Sequence, residues 1–335
     1  MLHMKKAISV LLPCLLFCLA AGAQEEENKT RIDDITVEAR GTFHQETRGG
    51  VYDSHFQGDY LNFIMSGQFT PKLTFKFRQR LNKDIEAKNP FKATDLLWLN
   101  WQPSPHWGFT FGKQGILVGG YEFDSAPIEV YYYSEFCNNM EQYYAFGASA
   151  HYMPAEGQTI TLQFIPSPVS PPTQNAYSYN LYWNGHIFPF WKTLWSVNLV
   201  EDGLQHRMNY IALGNKFDFG KFFVDVDWIN RAAIGHQKNF FSDWTVIGKA
   251  IWSIGKWNLC TKVGYERNDA ANVDADGNSY DIVLEAGGDF FYYGAGVEFF
   301  PLADERLRLH AVYFRNNHSV VNNFDVGITW RMKIL

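Results

Sequence analysis

From position 324 to 334 the chain alternates without a break. Phe324, Val326, Ile328, Trp330, Met332 and Ile334 fall on one side, and Asp325, Gly327, Thr329, Arg331 and Lys333 on the other. Period two sends these sets to opposite faces of an extended strand. A strand of a water-soluble sandwich rarely sustains this for eleven residues. A strand that crosses a bilayer in a barrel must, because lipid meets one face and water the other.

The pattern returns along the whole chain. Leu73, Phe75 and Phe77 alternate with Thr74, Lys76, Arg78 and Arg80. Phe222, Val224, Val226 and Trp228 alternate with Phe223, Asp225 and Asp227, and Leu307, Leu309, Ala311 and Tyr313 with Arg306, Arg308 and His310. Two kinds of connection separate such runs. Short ones are rich in Pro, Gly and Asp, as at 70–72, 103–105, 154–157, 218–221, 255–256 and 301–304. Longer, more polar ones cover 48–56, 83–92, 114–139, 167–175, 201–206, 232–241 and 268–289. Short turns at one end and long loops at the other are the asymmetry of outer-membrane barrels.

Strands are predicted near 35–47, 57–69, 73–82, 93–102, 107–114, 142–153, 159–165, 176–184, 192–200, 207–216, 221–231, 242–254, 257–267, 290–300, 306–315 and 320–334. Sixteen is an even number, which sets both termini on the short-turn side. Closure into an all-β antiparallel transmembrane barrel removes every free edge, as lipid demands, and about sixteen strands enclose an aqueous lumen.

Composition agrees. Trp, Tyr and Phe make up 17% of the chain, too much for a disordered segment. No run of about 18 apolar residues follows the N-terminus, so no membrane helix is expected. Residues 157–191 lack Asp, Glu, Lys and Arg, but five prolines there forbid a helix. The N-terminus reads as a signal peptide over 1–23: Lys5 and Lys6, an apolar stretch from Ala7, and the small residues Ala21-Gly22-Ala23 before the cut. The remaining chain, 24–335, is read as a single barrel domain. It keeps Cys137 and Cys260, read as two inert thiols. The formal charge of −6 excludes a nucleic-acid binder of the basic-surface kind.

Enzyme signals are weak. Ser149 and His151 share a strand face, but about 6.7 Å apart along the axis they are out of hydrogen-bond reach. No His-Glu-x-x-His, phosphate loop or cysteine cluster is present, so no catalytic residue, metal ligand set or cofactor is expected. The run 274–281 is only loosely like a calcium loop, with its glycine at the fourth position instead of the sixth, and reads as a solvated acidic loop.

Two constellations carry function. The stretch 115–139 is too apolar and aromatic to stand in water. It is expected to fold inward as a constriction loop carrying Glu122, Asp124, Glu129 and Glu135; the alternative is an exposed loop that caps the barrel or meets a neighbouring subunit. Arg40, Lys76, Arg78, Arg80, Arg306, Arg308, Arg331 and Lys333 lie on polar strand faces that closure joins into one basic sector. A basic wall opposite an acidic loop would set a transverse field across an aqueous eyelet, and basic patches favour anions. The blander alternative is that these charges pair with one another and keep the wall wet.

The motifs Gly112-Lys113-Gln114, Gly119-Gly120-Tyr121-Glu122-Phe123-Asp124 and Ile128-Glu129-Val130-Tyr131-Tyr132-Tyr133-Ser134-Glu135, with the general layout, resemble the phosphate-selective porin O and P family of Bacteroidetes. The resemblance implies a sixteen-stranded trimeric porin with an inward third loop and basic lumen residues that conduct anions. Lys76, Arg78, Arg80 and Lys113 are the positions that match a basic ladder. Two departures stand out: the chain ends in Ile334-Leu335 instead of an aromatic, and the loop acids oppose pure anion selectivity.

The reading is an exported outer-membrane porin, a passive channel for small polar solutes that leans toward anions. Its expected partners are outer-membrane lipid, two further copies in a homotrimer, and small polar or anionic solutes, with no nucleic acid. Its rivals are an occluded barrel serving structure or adhesion, and a barrel enzyme.

Overall fold

The computed structural model describes residues 30–84, 89, 91–140, 142–170, 175–203, 206–237, 239–281, 283–318 and 321–335. The expected signal segment lies outside them. Sixteen strands run in order: β1 (Arg31–Arg48), β2 (Val51–Thr70), β3 (Leu73–Arg80), β4 (Thr94–Ser104), β5 (Trp107–Gly115), β6 (Tyr144–Ala155), β7 (Gln158–Pro166) and β8 (Tyr177–Phe188). They continue with β9 (Trp191–Glu201), β10 (Arg207–Asp218), β11 (Phe222–Ala233), β12 (Asp243–Ile254), β13 (Trp257–Arg267), β14 (Asp289–Phe299), β15 (Leu307–Asn316) and β16 (Val321–Lys333). Each pairs antiparallel with its sequence neighbours, and β1 pairs with β16 from Thr36↔Lys333 to Arg48↔Val321, so the sheet closes.

The expected alternation is what the walls show. On β16, Phe324, Val326, Ile328, Trp330 and Met332 are exposed on the outside, while Thr329 is buried inside. Aromatic pairs gather on the outer face near both ends of the strands. Trp107–Tyr152, Trp191–Phe217 and Trp257–Phe299 sit by the short turns, and Phe164–Tyr179, Trp228–Phe241 and Trp244–Tyr265 by the long loops. Two such belts around an apolar band are how a barrel meets the two faces of a membrane.

One expected loop is absent. Instead of a long connection over 48–56, β1 and β2 zip together down to a turn at Gly49-Gly50, with Arg48 opposite Val51. Both glycines have positive φ, 55° and 84°, and only residues that tolerate this twist close a two-residue hairpin so tightly.

The interior is not uniformly wet. Toward the long-loop end, Ile116, Val118, Phe123, Phe136, Cys137 and Met140 from the β5–β6 connection pack against Ile165, Val200, Met208, Tyr210, Ala212 and Ile229 of the wall. This apolar core fills part of the barrel along β7–β11.

Candidate functional site: the barrel interior and its infolded loop

The connection between β5 and β6 enters the barrel and holds two single-turn helices, α1 (Tyr121–Asp124) and α2 (Glu135–Asn138), with a 3₁₀ turn at Pro127–Glu129 between them. It is stitched to the wall by groups that alternation turns inward. The Leu117 amide donates to Gln163 Oε1 (2.9 Å), and Leu117 oxygen accepts from Asn198 Nδ2 (2.7 Å). The Gly119 amide donates to Ser196 Oγ (2.8 Å).

At Gly119-Gly120 the loop backbone touches the wall. A Cβ on Gly119 would lie 2.6 Å from Leu194 oxygen and 2.8 Å from Ala212 oxygen, and Gly120 has φ of 117°. Gly214 of β10 completes the approach, since a Cβ there would stand 2.6 Å from Gly120 Cα. The paired glycines are therefore a steric requirement of an infolded loop.

Wall carboxylates cap both helices. Asp227 on β11 accepts from the amides of Tyr121 (2.8 Å) and Glu122 (2.9 Å). Glu266 on β13 accepts from the amides of Glu135 (2.6 Å) and Phe136 (2.9 Å). Each accepts from first-turn N–H groups that have no intrahelical partner.

The four loop acids differ in their surroundings. Glu122 is buried; it accepts from the Ser134 amide (2.8 Å) and hydroxyl (2.6 Å) and ion-pairs with Lys262 of β13. Glu129 pairs with Arg308 (2.5 Å) and with Arg331. Asp124 is exposed within the barrel, and Glu135 is half-buried.

The basic residues likewise divide. Arg40 donates to the oxygens of Ile128 (3.1 Å) and Val130 (2.9 Å) and pairs with Asp59 (3.0 Å). Arg78 and Arg80 share Asp95, at 3.2 and 2.8 Å, and stand over the rings of Tyr144 and Tyr60. Lys76 has the same inward parity. Arg308 bridges Glu129 and Glu298 (3.2 Å), and Arg331 reaches Glu38 (3.4 Å) as well as Glu129.

Three expected members stand apart. Arg306 lies in the turn before β15, exposed and paired with Asp304, because the strand begins one residue later. Lys333 is at the short-turn rim, 65% exposed and 3.9 Å from Asp34. Lys113 is opposite Leu97 and Phe146, both exposed on the outer face, and its ammonium donates to Phe91 oxygen (2.7 Å). It keeps the outward parity of Phe109 and Phe111, since β5 pairs with β4 and β6 through Gly112 without a register shift.

Several residues that shape the site carried no signal in the sequence. Asp59 and Asp95, the partners of the basic ladder, are both the extra residue of a β-bulge. Arg40 pairs with Tyr60 and Gly41 with Gly58, which leaves Asp59 over; Arg78 pairs with Leu96 and Gln79 with Thr94, which leaves Asp95 over. A bulge re-aims a side chain that strict alternation would send elsewhere. The buried pair Arg231–Asp281 (2.5 Å) ties the β13–β14 loop to the wall.

In that loop, hydrogen bonds from the Asn278 side chain and amide and from the Asp276 amide hold the Asp274 carboxyl below the usual carboxylate range. Ser149 hydroxyl donates to Gln114 Oε1 (2.6 Å), and His151 lies between Thr110 and Thr161. Both residues belong to polar wall networks.

A closed sixteen-strand barrel, aromatic-belted outside and largely polar within, with the connection between β5 and β6 folded inside, has the architecture of a porin of the bacterial outer membrane. The model of the family described as phosphate-selective porin O and P matches residues 40–187, which run from β1 through the infolded loop to β8, in keeping with the resemblance of its motifs. No curated protein sequence matches the chain.

Solved structures share the fold at low identity. OmpF of Salmonella typhi in complex with daunomycin is 14% identical with a TM-score of 0.64, over 91% of this chain and 98% of that one. A loop L8 deletion mutant of OmpT, an outer membrane protein of Vibrio cholerae, is 12% identical with a TM-score of 0.63, over 90% and 99%. A mutant of the Rhodopseudomonas blastica porin is 13% identical with a TM-score of 0.52, over 89% and 100%.

Proposed function

We propose that the protein is a passive, water-filled porin for small polar solutes with a modest lean toward anions. It is exported with loss of residues 1–23 and assembles as a homotrimer. The observation that carries the reading is the unequal charge of the two interior walls. On β1–β3, Arg40, Lys76, Arg78 and Arg80 outnumber Glu38 and the bulge carboxylate Asp59, with Asp95 of the neighbouring β4 beside them. On β11–β14, Asp225, Asp227, Glu266 and Glu298 outnumber Lys249 and Lys262, and the further cation Arg231 is taken up by Asp281 of the β13–β14 loop. Opposed walls of unlike sign focus a field across the space between them.

The field runs from wall to wall more than from wall to loop, because Glu122 and Glu129 are already engaged by Lys262, Arg308 and Arg331. Most ladder cations also have a carboxylate beside them, so the anion lean is small. Conduction needs no covalent step and no cofactor. Liposome swelling tests the channel: vesicles carrying the folded protein should swell in small polar solutes at rates that fall with solute size. Rates equal to those of empty vesicles would contradict it.

A further inference from the structure

Between β1, β2, β15 and β16, on the long-loop side of Tyr131 and Tyr132, lies a cavity of about 150 Å³ lined by Arg40, Thr42, Asp59, His310, Asn323 and Asp325 among others. At about 30 Å³ per water this is the space of roughly five waters, or of one sugar ring with its hydroxyls. His310 is 4% exposed, and neither ring nitrogen has a hydrogen-bond partner; Asn323 Oδ1 is likewise buried and unmet. Buried polar atoms are nearly always paired, so two residues left open in one cavity point to a ligand.

The imidazole is positioned at the cavity wall by its neighbour. It lies across Gly327 of β16, where a Cβ would come 2.7 Å from Nε2, so only glycine lets the ring extend toward β1. Tyr131 packs on its other side at 4.7 Å between ring centroids.

The chemistry of the lining selects the ligand. Asn323 Oδ1 is an acceptor, and a neutral imidazole offers one acceptor and one donor. Arg40 is paired with Asp59 (3.0 Å) and His44 Nδ1 lies 2.6 Å from Asp325, so the charged groups of the lining are already matched and offer no net pull on an ion of either sign. A group that both donates and accepts without net charge satisfies all of them. We propose that this cavity is a subsite for neutral polyhydroxylated solutes, a single sugar unit in size. As part of a solute pathway it rests on the porin reading; as a binding site it is tested separately.

Saturation-transfer NMR on the folded, detergent-solubilised protein, with glucose as the probe, should show saturable binding that inorganic phosphate does not displace. His310→Leu and Asn323→Ala should each weaken it about tenfold, the usual effect of one lost hydrogen bond. Heat-modifiable gel mobility establishes that each variant folds, and Asn323→Ala serves if His310→Leu does not. No saturable glucose binding by the parent protein, displacement by phosphate, or unchanged affinity in a folded variant would overturn the subsite. Glucose binding without ion conduction in bilayers would keep the subsite and overturn the porin reading. Conduction without glucose binding would do the reverse.

Discussion

At the scale of single residues, the interior is governed by who neutralises whom. Asp95 holds both Arg78 and Arg80, so removing its charge and removing theirs have opposite consequences. At an effective dielectric of about 20, one charge acts on an ion 4 Å away with about 4 kcal/mol, and salt screens this over about 8–10 Å. Asp95→Asn should therefore shift the reversal potential in a salt gradient toward anions. Arg78→Gln with Arg80→Gln should shift it toward cations by more than Lys76→Gln does, because Asp95 is then left uncompensated. Equal or absent shifts would show that this ladder does not set selectivity. The cations were legible because they obey period two. Asp59 and Asp95 were not, because a bulge is one residue of extra backbone and leaves no mark in a hydropathy pattern. Lys113 failed because period two, followed from Phe109 and Phe111, sets it on the outer face instead of in the lumen.

At the scale of elements, strands and loop were legible to different depths. All sixteen expected strands form, since lipid outside and water inside leave no other arrangement, but β2 begins at Val51, inside the stretch expected to be a loop. The loop's apolar load showed that it needed burial, yet its fastening to Asp227 and Glu266 depends on contacts about a hundred residues away in the chain. A hydrogen bond contributes about 0.5–1.5 kcal/mol, and Asp227 accepts two. Asp227→Ala should accordingly loosen the loop while the strands stay paired. A cysteine at 124, in a background without Cys137 and Cys260, should react slowly with a bulky membrane-impermeant thiol reagent compared with one at 278. Asp227→Ala should speed the reaction at 124. Equal rates at the two sites in the parent would mean the loop is not folded inside. On the outer face, Ile328→Arg should cost about 2–4 kcal/mol near the middle of the bilayer, read as a lowered melting temperature in heat-modifiable gel mobility.

At the scale of the whole molecule, the closed sheet gives the chain a continuous interior, and the infolded loop with its apolar core narrows that interior along β7–β11. What remains is bounded by walls of unlike charge, with carboxylates set among the basic residues. Closure, strand number and the apolar outside could be read from the sequence, because they follow from repetition. The charge balance of the lumen could not, because it is made by bulges and by pairs such as Arg231–Asp281 that only the folded barrel brings together. The central claim is that this interior is an open, weakly anion-leaning path. Single-channel recording in planar bilayers, with reversal potentials measured across a potassium chloride gradient, tests it most directly. The account predicts steady ohmic conductance with a weak to moderate anion preference at low salt that fades at high salt. A barrel that inserts without conducting, or one that prefers cations, would contradict it.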